Sequence, residues 1–215
     1  MFSPHPTAFR AATGQLGNAL IGRVRRVAVG ATLTPHFREF LPPWLARQPW
    51  CRAGPDAALR PVGYFRFEDP AGRVGIETHL LTDGSEVYHV PMTFRGEPGP
   101  GMPAAALIAT ADHSVLGTRW IYDGEADPLW RERLLDLVWT NGVTDPGSGA
   151  LAARARGELR VPGSARTAAV RVRLVRVPVP GAPALGPDAI GVVTGTWQAG
   201  EQASVSGCLA VITAD

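Results

Sequence analysis

Few residues in this chain have the types and spacing to do chemistry, and the first observation is a missing type: all 21 basic residues are arginine. Without lysine the chain supplies no Schiff-base amine, no phosphate-loop lysine and no kinase-type strand lysine. None of the five histidines is followed two places on by aspartate, so the His-x-Asp loop that positions a hydroxyl for phosphoryl transfer is missing as well. Gly99-Pro100-Gly101-Met102-Pro103-Ala104 has the glycine spacing of a dinucleotide loop, yet Pro100 and Pro103 have no N–H to give to a phosphate. Ala203-Ser204-Val205-Ser206-Gly207 lacks the leading glycine of a nucleophile elbow and falls mid-strand. Cys51 and Cys208 lie far apart with no second Cys or His at ligand spacing, so no metal site and no disulfide framework is expected. The expected cofactor set is empty, and no residue is nominated as catalytic.

Imidazoles, carboxylates and indoles remain. If Val74, Ile76 and Leu80 face one core together with Tyr88, Val90, Met92 and Phe94, residue 80 stands opposite residue 88. Glu77, His79 and His89 then share the other face, where two neighbouring imidazoles could exchange a proton. Asp112 and His113 are adjacent, and because neighbours on a strand point to opposite faces they can cooperate only in a turn. Asp123 and Asp127 are close enough for a carboxylate pair, but Asp127 precedes Pro128 and reads as a helix cap. Among the six tryptophans, Trp130 falls on a helix's apolar face, whereas Trp44 and Trp50 flank a Pro-bounded turn and suit either packing or recognition.

The elements that would position these groups follow from pattern. Thr34-Pro35 predicts a helix start, with Phe37, Phe40, Leu41 and Trp44 on one face. Pro42-Pro43 is expected to interrupt that helix, with a further turn or two from Trp44 to Trp50 before the loop Arg52-Ala53-Gly54-Pro55. Runs of β character cover 62–68, 74–81, 87–95 and 118–122, and Asp69-Pro70-Ala71-Gly72 makes the first two a hairpin. Residues 104–111 suit helix or strand equally. Asp127-Pro128, the face Trp130, Leu134, Leu137 and Val138, and Asn141-Gly142 mark a second helix from start to stop. Val170-Arg171-Val172-Arg173-Leu174 alternates with period two, placing Arg171 and Arg173 on a solvent face. A last hairpin sets Val193 and Trp197 opposite Val205, Leu209 and Val211 across the loop Gly200-Glu201-Gln202. The fold class is α+β, an antiparallel sheet with few helices packed on it and a second β-rich segment at the C-terminus.

At 215 residues, 45% apolar and 19% charged, the chain can bury a core without metal or disulfide. Residues 1–30 read as a disordered leader with Arg10, Arg23, Arg25 and Arg26 and no acid, residues 31–142 as the main domain, 143–157 as a linker and 158–215 as the C-terminal β-rich segment, either a separate lobe or the completion of the same sheet. The aromatic-rich middle of the chain carries excess acid, which argues against nucleic acid as a partner. No apolar run approaches a membrane span and no signal-peptide pattern is present, so the cytoplasm is the expected compartment and no membrane partner is expected.

Several short motifs carry a resemblance. Trp44-Leu45, then Gln48-Pro49-Trp50-Cys51-Arg52-Ala53-Gly54, Tyr88 to Gly96, Val115-Leu116-Gly117, Tyr122-Asp123-Gly124 and Asp127-Pro128 together resemble the N-terminal cap domain of actinobacterial maltokinases, in particular the stand-alone form sometimes labelled a glucan-branching protein. The likeness runs from about Leu33 to Val138. It implies a curved sheet with helices against it, and, since the kinase lobes are missing, a non-catalytic binding or regulatory module tied to maltose, trehalose or α-glucan metabolism. The expected partners are a small sugar, or a protein such as a kinase or glucan-metabolising enzyme. Trp44, Gln48, Trp50, Arg52, Arg95 and Asp123 are the positions it nominates for ligand binding. The alternatives are a small general acid/base enzyme built on His79 and His89 or on Asp112 and His113, and a structural subunit that docks on a separately encoded kinase.

Overall fold

The structure is a computed structural model that describes residues 31–54, 57–147, 151–161, 169–200 and 203–214. The leader 1–30, Pro55 of the first loop, Ser148 and Gly149 of the linker, and Glu201 and Gln202 of the last hairpin lie outside the described residues. Strands β1 (Leu33–Thr34), β2 (Arg60–Phe67), β3 (Gly75–Thr82), β4 (Val87–Arg95), β5 (Leu107–His113), β6 (Gly117–Asp123) and β7 (Asp145–Pro146) form one antiparallel sheet in the order β1-β5-β6-β4-β3-β2-β7. It is strongly curled, like half a barrel. Register shifts between Pro61 and Gly63 and between Leu107 and Ala109 put bulges in two of its strands, and a bulge bends a strand and adds twist. Strands β8 (Ala155–Leu159), β9 (Val170–Leu174), β10 (Ala189–Gln198) and β11 (Ser204–Ala214) form a second sheet in the order β8-β10-β11-β9. Within residues 143–157, then, the chain first adds an edge strand to the first sheet and then begins the second.

Helix α1 (Phe37–Leu45) begins later than Thr34-Pro35 suggests. Thr34 is spent on the sheet opposite Asp112, and the cap is His36: its ring accepts the Arg38 N–H, while the Glu39 carboxylate accepts the His36 N–H at 2.8 Å. Nor do Pro42 and Pro43 break the helix. Each removes one i→i−4 bond, and the carbonyls left over belong to Arg38 and Glu39 in the first turn, both exposed to water. Helix α2 (Pro128–Trp139) has the expected cap at Asp127, the expected buried face of Trp130, Leu134, Leu137 and Val138, and a left-handed Asn141 just past its end. Residues 104–111 use both of their options, a 3-10 turn over Ala104–Ala106 followed by β5.

The central strands of the first sheet are buried on both faces. Leu80 lies opposite His89 and Leu81 opposite Tyr88, so Ile76 and Leu80 face one way and Leu81, Tyr88, Val90 and Met92 the other. The first set packs with Val62, Phe65, Phe67, α2 and the inner face of the second sheet. The second packs under α1, against Phe40, Leu41, Trp44 and Leu45. This corrects the expected pairing of 80 with 88. That register assumes one buried face, and with two, apolar residues at both parities no longer specify it.

Candidate functional site

The tightest polar node joins the first sheet to α2. Asp127 is fully buried and accepts four bonds: the Thr93 hydroxyl at 2.6 Å, Arg95 Nε and Nη2 at 2.8 Å each, and the Leu129 N–H at 3.0 Å. Burial alone would push its carboxyl up. Arg95, Thr93 and Leu129 outweigh that and hold it below the usual carboxylate range. Arg95 is thus engaged within the molecule, on the face that carries α2.

On the opposite face the corner after α1 folds Trp50 toward the sheet. Trp44 is buried in the core, the Gln48 amide bonds back to the Trp44 carbonyl at 3.2 Å, and Trp50 packs edge-on to Trp44 and against Tyr88. Arg176 lies over the Trp50 ring at 5.0 Å and donates through Nη2 to Asp123 Oδ2 and, at 2.6 Å, to Glu125 Oε2. Its side chain is only 9% exposed, and its Nε and Nη1 are buried without a partner. Burial raises the Asp123 carboxyl above its ordinary value in spite of Arg176, for Asp123 accepts fewer bonds than Asp127. Arg52 stands apart, 83% exposed, 3.3 Å from Glu86. Of the six nominated positions the fold therefore gathers Trp44, Gln48, Trp50 and Asp123 on one face, places Arg95 on the other and leaves Arg52 at the rim.

Arg176 was not singled out from sequence, although a signal existed. In Val170-Arg171-Val172-Arg173-Leu174-Val175-Arg176 the apolar phase is 170, 172, 174, and continuing it puts an arginine where the core expects a hydrophobe. The backbone there is stitched to the first sheet: the Arg176 carbonyl accepts the His89 N–H at 2.8 Å, and the Val175 N–H donates to Leu209 at 2.8 Å.

The histidine pair expected to share a face does not form. His79 stands opposite Val90 and His89 opposite Leu80, on opposite faces, because the register differs by one residue. His89 is buried, its ring near the carbonyls of Val175 and Leu209. Burial, helped by the Arg176 charge, pulls its pKa down to about 3. His79 is also buried, between the rings of Phe37 and Tyr64, with Nε2 3.6 Å from Glu77. For Glu77, burial raises the carboxyl and His79, Arg66 and the Tyr64 hydroxyl more than compensate, leaving it lowered. Asp112 and His113 do meet a turn, but they cap it: Asp112 accepts the Thr118 hydroxyl, and His113 Nδ1 accepts the N–H groups of Val115 and Leu116 at 3.2 Å.

That turn presents an exposed apolar tip. Val115 and Leu116 are 60% and 38% exposed. Gly117 turns the chain with φ of 73°, Ser114 and Thr32 exchange two bonds, and Arg119 reaches the Leu116 carbonyl, so the tip is held rigidly. The two best-formed hollows among the described residues, one beside Phe37, Leu41 and Leu81 and the other beside Phe65, His89 and Trp130, admit at most a water-sized sphere, against roughly 300 Å³ or more for a small-molecule site. Among those residues there is also no group of three or more His, Cys, Asp or Glu able to hold a metal ion, and no helix is long and apolar enough to cross a membrane.

Comparison with known families agrees with these motifs. Residues 44–127, about two fifths of the chain, match the family model of the maltokinase N-terminal cap domain. Neither the curated proteins nor the solved structures give a match.

Proposed function

We propose that this chain is a non-catalytic cap module of maltose, trehalose and α-glucan metabolism, acting in the cytoplasm by docking on a protein partner, a sugar kinase or glucan-metabolising enzyme. The observation that carries this reading is where the signature side chains go. Trp44 fills a core, Arg95 closes on Asp127, and Asp123 and Trp50 close on Arg176, so the motifs that mark the cap maintain its shape. Among the apolar side chains left exposed, Val115 and Leu116 are adjacent and sit on a turn pinned by hydrogen bonds. A rigid tip loses little conformational entropy on association, and exposed apolar side chains gain from a partner's socket. Two free cysteines with raised thiol pKa values, each raised chiefly by burial, suit a reducing compartment.

The test pairs binding with a control for fold. The full chain is mixed with a maltose-phosphorylating kinase from the same source, and Val115→Asp/Leu116→Asp is compared with wild type. The double variant melts like wild type and binds the kinase about tenfold or more weakly, as loss of two apolar contacts predicts. Saturable heat from wild type with maltose, trehalose, maltose 1-phosphate or ATP, or phosphate transfer from a nucleotide to a disaccharide by the pure chain, would overturn the reading.

A further inference from the structure

We propose that the Trp50 ring and the Asp123 and Glu125 carboxylates form a guanidinium-binding site, filled in cis by Arg176 and able to take an arginine side chain of another polypeptide when Arg176 swings out. An aromatic face beside two carboxylates is the chemistry that recognises a planar cation carrying forked N–H donors. The parts have separate origins. Trp50, Asp123 and Glu125 all lie within the stretch 44–127 that matches the cap family, and Arg176 comes from the chain well beyond it. The cap supplies the receptor, and the segment after β9 supplies the occupant. The proposal stands apart from the docking reading above, since it needs no particular enzyme.

The fit in cis is incomplete, which makes the occupant exchangeable. Arg176 serves both carboxylates through the single nitrogen Nη2, while Nε and Nη1 are buried with no acceptor. Asp127 shows what the same chain does when the fork is satisfied: Arg95 meets it with two nitrogens on two oxygens. An arginine entering in the plane of Asp123 can pair in that way, and buried donors without acceptors are the state a better-placed guanidinium relieves. Glu125, 52% exposed, marks the side from which it enters. The Arg176 side chain can leave without dismantling the segment after β9, since the backbone there stays fixed by the Arg176 carbonyl bond to the His89 N–H.

The experiment empties the site and refills it from solution. Full-length Arg176→Ala is titrated calorimetrically with ethylguanidinium and with N-acetyl-arginine amide, with ethylammonium as the cation that lacks a fork. The variant binds both guanidinium probes at millimolar concentration at least tenfold better than ethylammonium, and regains part of its lost Tm when they are added. Wild type shows neither effect at those concentrations, and Asp123→Asn/Arg176→Ala loses the binding. Arg176→Met, which keeps a side chain over Trp50, serves if the alanine variant does not fold. Equal response to guanidinium and ammonium in a folded variant overturns the proposal. So does failure of both variants to fold, because a displaceable side chain is not indispensable.

Discussion

Replacing Asp127 with alanine removes one side chain that caps α2, neutralises Arg95 and satisfies the Thr93 hydroxyl. The cap alone is worth about 1 kcal/mol. Thr93 is fully buried, so leaving its hydroxyl without a partner costs a further 1–3 kcal/mol, roughly. Breaking a fully buried ion pair costs about 3–5 kcal/mol, but Arg95 is 22% exposed and can turn toward water, so about 1–2 kcal/mol is the share to expect. The whole is about 4 kcal/mol, and at about 2–4 °C per kcal/mol for a chain of this size the Tm falls by about 10–15 °C. Urea and thermal unfolding followed by circular dichroism measure it. Asp127→Asn keeps the cap but turns an amide N–H toward Arg95, and is expected to lose about half as much. Acid adds a second signature. A carboxyl held low in the folded state contributes stability above its unfolded pKa, about 3.9, that is lost as pH falls through the lower folded value, and the asparagine variant lacks that acid-sensitive contribution. A loss of 1 kcal/mol or less for Asp127→Ala would reduce the residue to an ordinary cap and refute the reasoning.

His89 gives a pH effect in a higher window. It stays neutral in the fold down to about pH 3 but titrates near pH 6.5 when unfolded, so the unfolded chain takes up a proton first and stability falls as pH drops between those values, by up to about 1.4 kcal/mol per pH unit. Urea unfolding at pH 7.5 and pH 5 should show this fall in wild type and a shallower one in His89→Gln; equal slopes would speak against it. At Gly157 the second sheet passes close to α2, and a Cβ there would stand 2.2 Å from the Leu137 carbonyl oxygen. Gly157→Ala should therefore lower stability by about 3 kcal/mol or prevent folding, as overpacking against backbone does. Gly54→Ala, with nothing within 4 Å, should be near neutral, and similar melts for the two would count against this packing.

Which parts of the fold could be read from sequence follows from how local their causes are. Helix α2 has its cap, periodic face and stop within fifteen residues, and the β2–β3 hairpin has a turn in which the Asp69 carboxylate takes the N–H groups of Ala71, Arg73 and Val74. The start of α1 misleads because Thr34-Pro35 looks like a cap while its backbone is claimed by β5, about eighty residues away in sequence. The β3–β4 register misleads because His79-Leu80-Leu81 is buried at every position, and periodicity carries no parity where both faces are covered. For the site, the nominated positions were visible as residue types, but their partners were not. Arg95 finds Asp127 across 32 residues and Asp123 finds Arg176 across 53, pairings that only the folded chain creates.

The two-sided burial also bears on where a partner can approach. The stretch matching the cap family ends at Asp127, yet Val62, Phe65, Phe67, Ile76 and Leu80 within it are covered by α2 and by Val193, Trp197, Leu209 and Ile212 of the second sheet. Burying five such side chains stabilises by about 10 kcal/mol, as large as the whole net stability of an ordinary domain. A cap ending at residue 127 would leave that face to be covered by whatever domain follows it. Here the chain covers it with its own C-terminal sheet, and α1 covers the other face. The docking partner proposed above would thereby be left the rims of the curled sheet, and among the described residues one rim carries the pinned Val115-Leu116 tip. On the docking proposal, the shape of the sheet and the docking surface are set by different residues, so substitutions at the buried motifs are expected to act on stability and those at the tip on association.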